Sequence, residues 1–409
     1  MRVAILVTFA LSYVGITARR LRWLPVGRPS MALIGATVCV ALGTWAGPPF
    51  LDLDGALRAV ELHTLSLLLG MMVVAAGLGE AGFFAWATGF LARHVGHRAA
   101  LLWAVTLGCG LLSAVLVNDA VCLLATPLVV QLARSARAQV RPFLFAVAMG
   151  SNAGSALTLA GNPQNMLVGR LSGLSYRGYL ADVALPVLAA LVVTAALLHL
   201  FFRKTLHEET GPTTQDSATV IDRPLLVVSL LGLFGAVVGN LAGAPLALTA
   251  LAAGTVTLIA AGLRAEKLLA QVDWSVLLFF AGLFVLVAAL QRTGFPQTWV
   301  AQTEGALGHG ALVLTAVLSL GSQIVSNVPL ILLLEPWIRS FPDPNAAWTT
   351  TALVATLAGN LTVLGSVANI IVLERAKERM GFLEYAKIGV PVTLASTAVA
   401  LGLLRLTTG

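Results

Sequence analysis

An apolar run from residue 100 to residue 133 is interrupted once, at Asn118–Asp119. It carries basic residues on both flanks: Arg93, His94, His97 and Arg98 before it, Arg134, Arg137 and Arg141 after it. Basic side chains collect on the cytoplasmic side of a membrane, so a stretch that is basic at both ends enters and leaves from that side. It is too long for one span of ~20 residues, and its two arms are short for two spans. Residues 100–133 are therefore expected to form a re-entrant hairpin with Asn118 and Asp119 at its tip. Lipid leaves only helices and closed barrels able to satisfy the backbone, and runs of this length specify helices.

The surrounding chain has the composition such a hairpin needs. Of 409 residues, 58% are hydrophobic and 11% charged, which excludes a soluble domain. The net charge of +7 follows from the basic bias of cytoplasmic loops rather than from a nucleic-acid partner. Cys39, Cys109 and Cys122 lie inside apolar segments, cannot all pair, and match no zinc or redox spacing. No H-E-x-x-H, P-loop or G-x-S-x-G sequence occurs, so neither an enzyme nor an ATP-driven pump is expected, and no cofactor or metal beyond a coupling ion. The basic cluster Arg19, Arg20 and Arg22 follows the first apolar run, which reads as a first span and not a cleaved signal.

Spans are expected at about 3–17, 30–47 and 63–91, followed by the hairpin, a broken helix over 141–172 and a span at 183–202. Residues 204–223 form the one linker-like stretch, taken as cytoplasmic. The plan then repeats over 224–409, with spans at about 224–240, 244–263 and 272–291, a hairpin at 309–338, a broken helix at 345–373 and a last span at 385–404. Ser113 stands five residues before Asn118, as Ser322 does before Asn327; Gly161 stands four before Asn165, as Gly365 does before Asn369. Pro186 and Pro391 are placed at the opening of the last span of each half. With Asn152 aligned to Asn360 the first half carries four extra residues before its glycine, so the repeat reads as imperfect. Each half, 1–203 and 224–409, has five crossings, and an odd number turns the second half upside down. That assignment leaves most of the 25 Lys and Arg in cytoplasmic segments, with both termini outside. The fold expected is an all-α polytopic membrane protein of two inverted repeats, about ten spans and two hairpins.

Paired interruptions at matching places in two halves point to the binding site of a secondary transporter. Breaks are expected at Asn152–Gly154, Gly161–Asn165, Gly359–Thr362 and Gly365–Asn369. Asn118 and Asn327 are expected to cap the second arm of each hairpin. The substrate set is Asn118, Asn152, Asn162, Asn165, Ser326, Asn327, Asn360, Thr362, Ser366 and Asn369. Helix N-terminal ends suit an anion without Arg or Lys, while carbonyls and C-terminal ends suit Na⁺, placed near Asn118, Asn162 and Asn327. Asp119 is the ionisable group of these clusters and a proton carrier; its bland alternative is a helix cap. Glu80 reads as structural, Glu335 as lying near the outer mouth, His199 and Asp182 as interfacial, and Cys122 as an inert buried thiol.

At NDAVCLLATP, LAGNPQNMLVG and VSNVP the sequence resembles the ion transporter superfamily, over nearly the whole chain. That group holds arsenite-efflux permeases, citrate and dicarboxylate:sodium symporters, and certain Na⁺/H⁺ antiporters. The resemblance implies two re-entrant hairpins, two broken helices and a homodimer in a prokaryotic inner membrane. Dicarboxylate carriers read Ser-Asn-Thr at both tips; here the tips read Val117-Asn118-Asp119 and Ser326-Asn327-Val328. The Asn-Asp pair with its Thr-Pro, and FFRK at 201–204, are similar to arsenite permeases. The expectation is a transporter of a small anion or oxyanion coupled to H⁺ or Na⁺, arsenite or antimonite efflux leading. A Na⁺-coupled di- or tricarboxylate carrier and a Na⁺/H⁺ antiporter are the alternatives.

Overall fold

The structure is a computed structural model and describes residues 1–17, 27–206 and 220–408. The basic cluster at Arg19, Arg20 and Arg22 and most of the expected linker lie outside the described residues. The described chain is helical, with no strand among the described residues. The first half runs α1 (Arg2–Thr17), α2 (Arg28–Ala46), α3 (Leu53–Ala59), α4 (Leu62–Glu80) and α5 (Phe83–His94). It continues through α6 (Arg98–Val115), α7 (Asn118–Ser135), α8 (Val140–Ser155), α9 (Pro163–Ser172) and α10 (Tyr176–Leu206). The second half runs α11 (Arg223–Leu241), α12 (Leu246–Ala261), α13 (Ala265–Ala270), α14 (Trp274–Arg292) and α15 (Phe295–Leu307). It ends with α16 (Ala311–Val325), α17 (Asn327–Arg339), α18 (Pro344–Ala358), α19 (Val367–Ala376) and α20 (Phe382–Thr408).

Eight of these helical stretches are long and apolar enough to cross a membrane, and α1 and α16 are shorter apolar helices. The α6–α7 turn needs only Leu116 and Val117, and the α16–α17 turn only Ser326. Both apolar runs expected as hairpins are thus helical hairpins and not single continuous helices.

Helix order repeats between the halves, and so does the packing. α2 packs on α14 as α12 packs on α4; α3 touches α14 as α13 touches α4; α7 meets α19 as α17 meets α9. Two helical groups result. α1–α4 associate with α11–α14, while α6–α10 associate with α16–α20, with α10 lying along α20. α5 and α15 run between the groups, touching α4 and α7, and α14 and α17.

Several expected boundaries are corrected. The segment 63–91 is not one span: Gly82, at φ +86°, turns the chain left-handed between α4 and α5, a conformation a helix cannot pass through. Each broken helix has one break, not two. α8 runs on through Asn152 to Ser155, and the chain reopens at α9; α18 runs to Ala358 and reopens at α19. Pro186 and Pro391 lie inside α10 and α20 rather than at their starts.

The two hairpins are held differently. α6 crosses α8 so closely that a Cβ on Gly154 would fall 2.1 Å from the Gly110 carbonyl oxygen. Small residues let backbones approach in this way where lipid supplies no hydrophobic drive. α16 makes no such crossing: its buried residues are Leu314, Leu318 and Ser322. Hairpin α6–α7 is clamped; hairpin α16–α17 rests on fewer contacts.

Candidate functional site

The two hairpin tips and the two helix breaks meet in the middle of the second helical group. Each break is built the same way. A polar residue opens the returning helix: Asn162 Oδ1 accepts from the Asn165 amide at 2.8 Å ahead of α9, and Ser366 Oγ accepts from the Ala368 amide at 3.2 Å ahead of α19. Pro163 at the first position of α9 has no N–H to orphan. An asparagine one turn in then gathers the freed carbonyls. Asn165 Nδ2 donates to Thr158 O at 3.1 Å, and Asn369 Nδ2 donates to Thr362 O at 3.0 Å and Gly359 O at 2.8 Å. Buried carbonyls outside a helix must be paired, and these two asparagines do it.

The halves lock through reciprocal bonds. Asn152 Nδ2 donates to Asn369 Oδ1 at 3.0 Å, and Thr356 Oγ1 donates to Asn165 Oδ1 at 3.0 Å. Asn152 and Thr356 each stand thirteen residues before the asparagine of their own half. The bonds therefore equate Asn152 with Thr356, and Ala156 with Asn360. The four-residue mismatch expected from aligning Asn152 with Asn360 disappears.

Asn152 is saturated. It accepts from Asn118 Nδ2 at 3.0 Å and Ser366 Oγ at 3.0 Å, and donates also to Asn360 Oδ1 at 2.9 Å. Asn360 Nδ2 reaches Met149 O at 3.1 Å. Asn162 Nδ2 bonds Ser155 Oγ at 2.9 Å and Thr356 Oγ1 at 3.1 Å. Thr362 Oγ1 donates to Gln323 Oε1 at 2.8 Å. Asn152, Asn162, Asn165, Asn360 and Asn369 are buried and occupied in holding the crossing loops.

What remains open faces the gap between the tips. That cavity is lined by Asn118, Asp119, Pro163, Gln164, Phe280, Ser326, Asn327, Val328, Gly365, Ser366 and Val367. Its free space is ≈ 20 Å³, enough for about one water. Neither asparagine caps its arm as expected. Each is the first helical residue, the cap positions being Val117 and Ser326. The Asn118 amide instead bonds Gly161 O at 3.0 Å, and Asn327 Nδ2 reaches the equivalent carbonyl, Gly365 O, at 3.5 Å. Asn118 Oδ1 and Asn327 Oδ1 are both buried without a hydrogen-bond partner among the described residues. Ser326 sits at φ +67°, ψ 156°, a region nearly restricted to glycine.

Asp119 is 5% exposed, and its carboxylate has no hydrogen bond or ion pair among the described residues. It lines the gap between the tips and also a second cavity, against α4 and the start of α14, that contains Gln271 and Asp273. No Lys or Arg lines either cavity, so helix ends and amides provide the polarity. A third cavity of ≈ 300 Å³ opens beside His63 and Arg170 and includes Tyr176 and Asn240.

The remaining singled-out residues lie outside this centre. Glu80 pairs with Lys267 at 2.6 Å, Glu335 with Arg339 at 3.0 Å, and His199 Nδ1 accepts from Trp103 Nε1 at 3.3 Å. Cys122 is buried and free. Thr356, Ser155, Thr158, Gln323 and Tyr179, which donates to Ala156 O at 2.8 Å, belong to the network and were not singled out in the sequence. Thr158 and Thr362 each stand seven residues before the asparagine of their half, a recurrence that points from Thr362, named in the sequence, to Thr158.

Apolar membrane-length helices around a shared polar centre built from two halves define an integral membrane transporter. The family model described as "Citrate transporter" matches residues 13–358, and the chain belongs to that family. It is 30% identical to the "46 kDa membrane protein" of Mycobacterium leprae, over 98% of this chain and 97% of that one. It is 27% identical to the silicon efflux transporter LSI3 of Oryza sativa subsp. japonica, over 93% of each. Among solved structures, the Alcanivorax borkumensis YdaH transporter has a similar fold, with a TM-score of 0.59 at 14% identity, covering 92% of this chain and 96% of that chain.

Proposed function

We propose that the chain is a cation-coupled secondary transporter that binds a small hydroxylated anion or oxyanion between the hairpin tips, with arsenite and antimonite the leading cargo. The observation that carries this reading is the pair of unsatisfied acceptors, Asn118 Oδ1 and Asn327 Oδ1, lining one small cavity. An orphaned buried carbonyl costs roughly 1–3 kcal/mol, and a ligand that brings O–H donors removes that cost at both sites together. Trivalent arsenic and antimony hydroxides carry such donors and need no Arg or Lys. A relative named as a silicon efflux transporter handles an element whose soluble form is likewise a hydroxide.

The mechanism is alternating access. The group α6–α10 with α16–α20 carries the cargo and moves against α1–α4 with α11–α14, while α5 and α15 take up the displacement. The halves insert in opposite orientations with both termini outside an inner membrane, as the basic residues distribute. Asp119, which lines both the gap between the tips and the cavity against the static group, carries the coupling proton; Na⁺ is the lesser alternative.

A Na⁺-coupled di- or tricarboxylate carrier is the second reading, favoured by the family's description. Against it stands the absence of the tip threonines: Asp119 and Val328 follow the two tip asparagines. Counterflow in proteoliposomes loaded with arsenite, antimonite, citrate, succinate or Na⁺ tests the choice. Saturable arsenite or antimonite exchange driven by a pH gradient is expected. Exchange of citrate or succinate dependent on Na⁺, with no metalloid exchange, would overturn it.

A further inference from the structure

Two equivalent carboxylates stand where the static helices begin. Glu61 immediately precedes α4, and Asp273 immediately precedes α14, the corresponding helix of the second half. Both face the group that carries the cargo site, and they meet opposite chemistry there. Glu61 lies 3.8 Å from Arg170 on α9. Asp273 shares its cavity with Asp119 on α7. The halves differ at this point because the partner of Asp119 in the second half is Val328, each following the tip asparagine.

The cavity between the two aspartates is otherwise apolar. Met72, Ala75 and Ala76 wall it from α4, Leu123 and Leu124 from α7, Val276 from α14 and Ile371 from α19, and Gln271 is its one neutral polar residue. Its free space is ≈ 20 Å³. Charged groups on the elements packed against α7 lie outside it. They are His63 and Glu80 on α4 (the latter held by Lys267), Arg93 and His94 on α5, Arg98 on α6, Arg141 on α8, and Glu374 and Arg375 on α19, with Arg134 on α7 itself. Cys122 is one turn further along α7. No Lys, Arg or His among the described residues lines this cavity. Two ionised carboxylates facing one small, largely apolar space repel one another, and protonating one of them removes the repulsion.

We propose that Asp119 and Asp273 form a proton-dependent latch between the moving and static groups: with Asp119 protonated, hairpin α6–α7 rests beside the start of α14, and with Asp119 ionised it is repelled. This rests on the reading of the two groups as moving and static. Glu61 and Arg170 are oppositely charged and 3.8 Å apart, so the contact at the start of α4 is attractive where that at the start of α14 brings two acids together. Asp119 also lines the gap between the tips, which puts cargo and latch on the same side chain.

Pulsed electron-spin distances test this directly. Spin labels are placed at the exposed positions Gln131 on α7 and Glu266 on α13, with Cys39, Cys109 and Cys122 replaced, in lipid nanodiscs across a pH series. The short-distance population is expected to fall as pH rises. In Asp273→Asn it should stay short at every pH. Asparagine keeps a side-chain acceptor for the Val276 amide, which Asp273 caps at 3.2 Å, so the variant is expected to fold. Asp119→Asn should give the same flat response. A wild-type distance that ignores pH, an Asp273→Asn variant that keeps the wild-type response, or a population that follows Na⁺ at fixed pH would each overturn the latch. Counterflow measured on the same preparations separates the two ideas. Loss of all exchange in wild type counts against the transport reading, whereas a pH response retained in Asp273→Asn beside intact exchange counts against the latch alone.

Discussion

Asn152 Nδ2 donates to Asn369 Oδ1 at 3.0 Å, joining side chains 217 residues apart in sequence. That bond, with its counterpart from Thr356 to Asn165, makes the centre a single polar unit in which either break depends on the other half. Asn152→Ala should strip partners from Asn118 Nδ2, Ser366 Oγ, Asn360 Oδ1 and Asn369 Oδ1 at once. With roughly 1 kcal/mol or more for each buried group left unpaired, the expected loss is about 3–5 kcal/mol. Thermal unfolding in detergent should show it as a large fall in Tm; a change near zero would mean that water replaces the network.

Gly154→Ala tests the clamp on the first hairpin. Its methyl carbon would meet the Gly110 carbonyl oxygen, a backbone atom that cannot rotate away. Overpacking of this kind costs about 1–3 kcal/mol. Gly108→Ala on the same α6 meets nothing within 4 Å and should be neutral or slightly stabilising by helix propensity. Comparing the two melting temperatures checks the crossing.

The hairpins were legible because polar residues and basic flanks at bilayer depth have few explanations. Asn118, Asn327 and the glycines near 161 and 365 announce themselves against apolar neighbours. Asn152 and Asn360 did so too, but polarity alone could not say that they bind loops and leave the gap to others. Thr356 stayed hidden, since a threonine on a helix ordinarily bonds its own preceding carbonyl, and its partner Asn165 lies 191 residues away. The division of 63–91 is not legible in the sequence, because apolar residues resume directly after Gly82. Asp273 is not legible as more than an N-cap, because a carboxylate before a helix ordinarily is one, and Asp273 also caps α14.

Ser326 separates backbone strain from chemistry. Its conformation favours glycine, so Ser326→Gly should raise stability by about 1 kcal/mol, whereas Ser326→Ala should not. If the hydroxyl touches cargo, both variants weaken exchange alike; if only the turn matters, glycine exchanges normally. Melting curves and counterflow on the pair give the answer.

Asp119→Asn should abolish proton-driven transport while the protein still folds, because the carboxylate bonds no described group whose loss would be felt. Transport measured against pH at fixed cargo checks it. A mutant profile that follows the wild type would remove Asp119 from coupling.

The most direct measurement is an experimental structure with the cargo that gives saturable exchange. The account predicts one density between the tips, within hydrogen-bonding distance of both Asn118 Oδ1 and Asn327 Oδ1. Cargo density confined to the cavity beside His63 and Arg170, with the tips still empty, would contradict it.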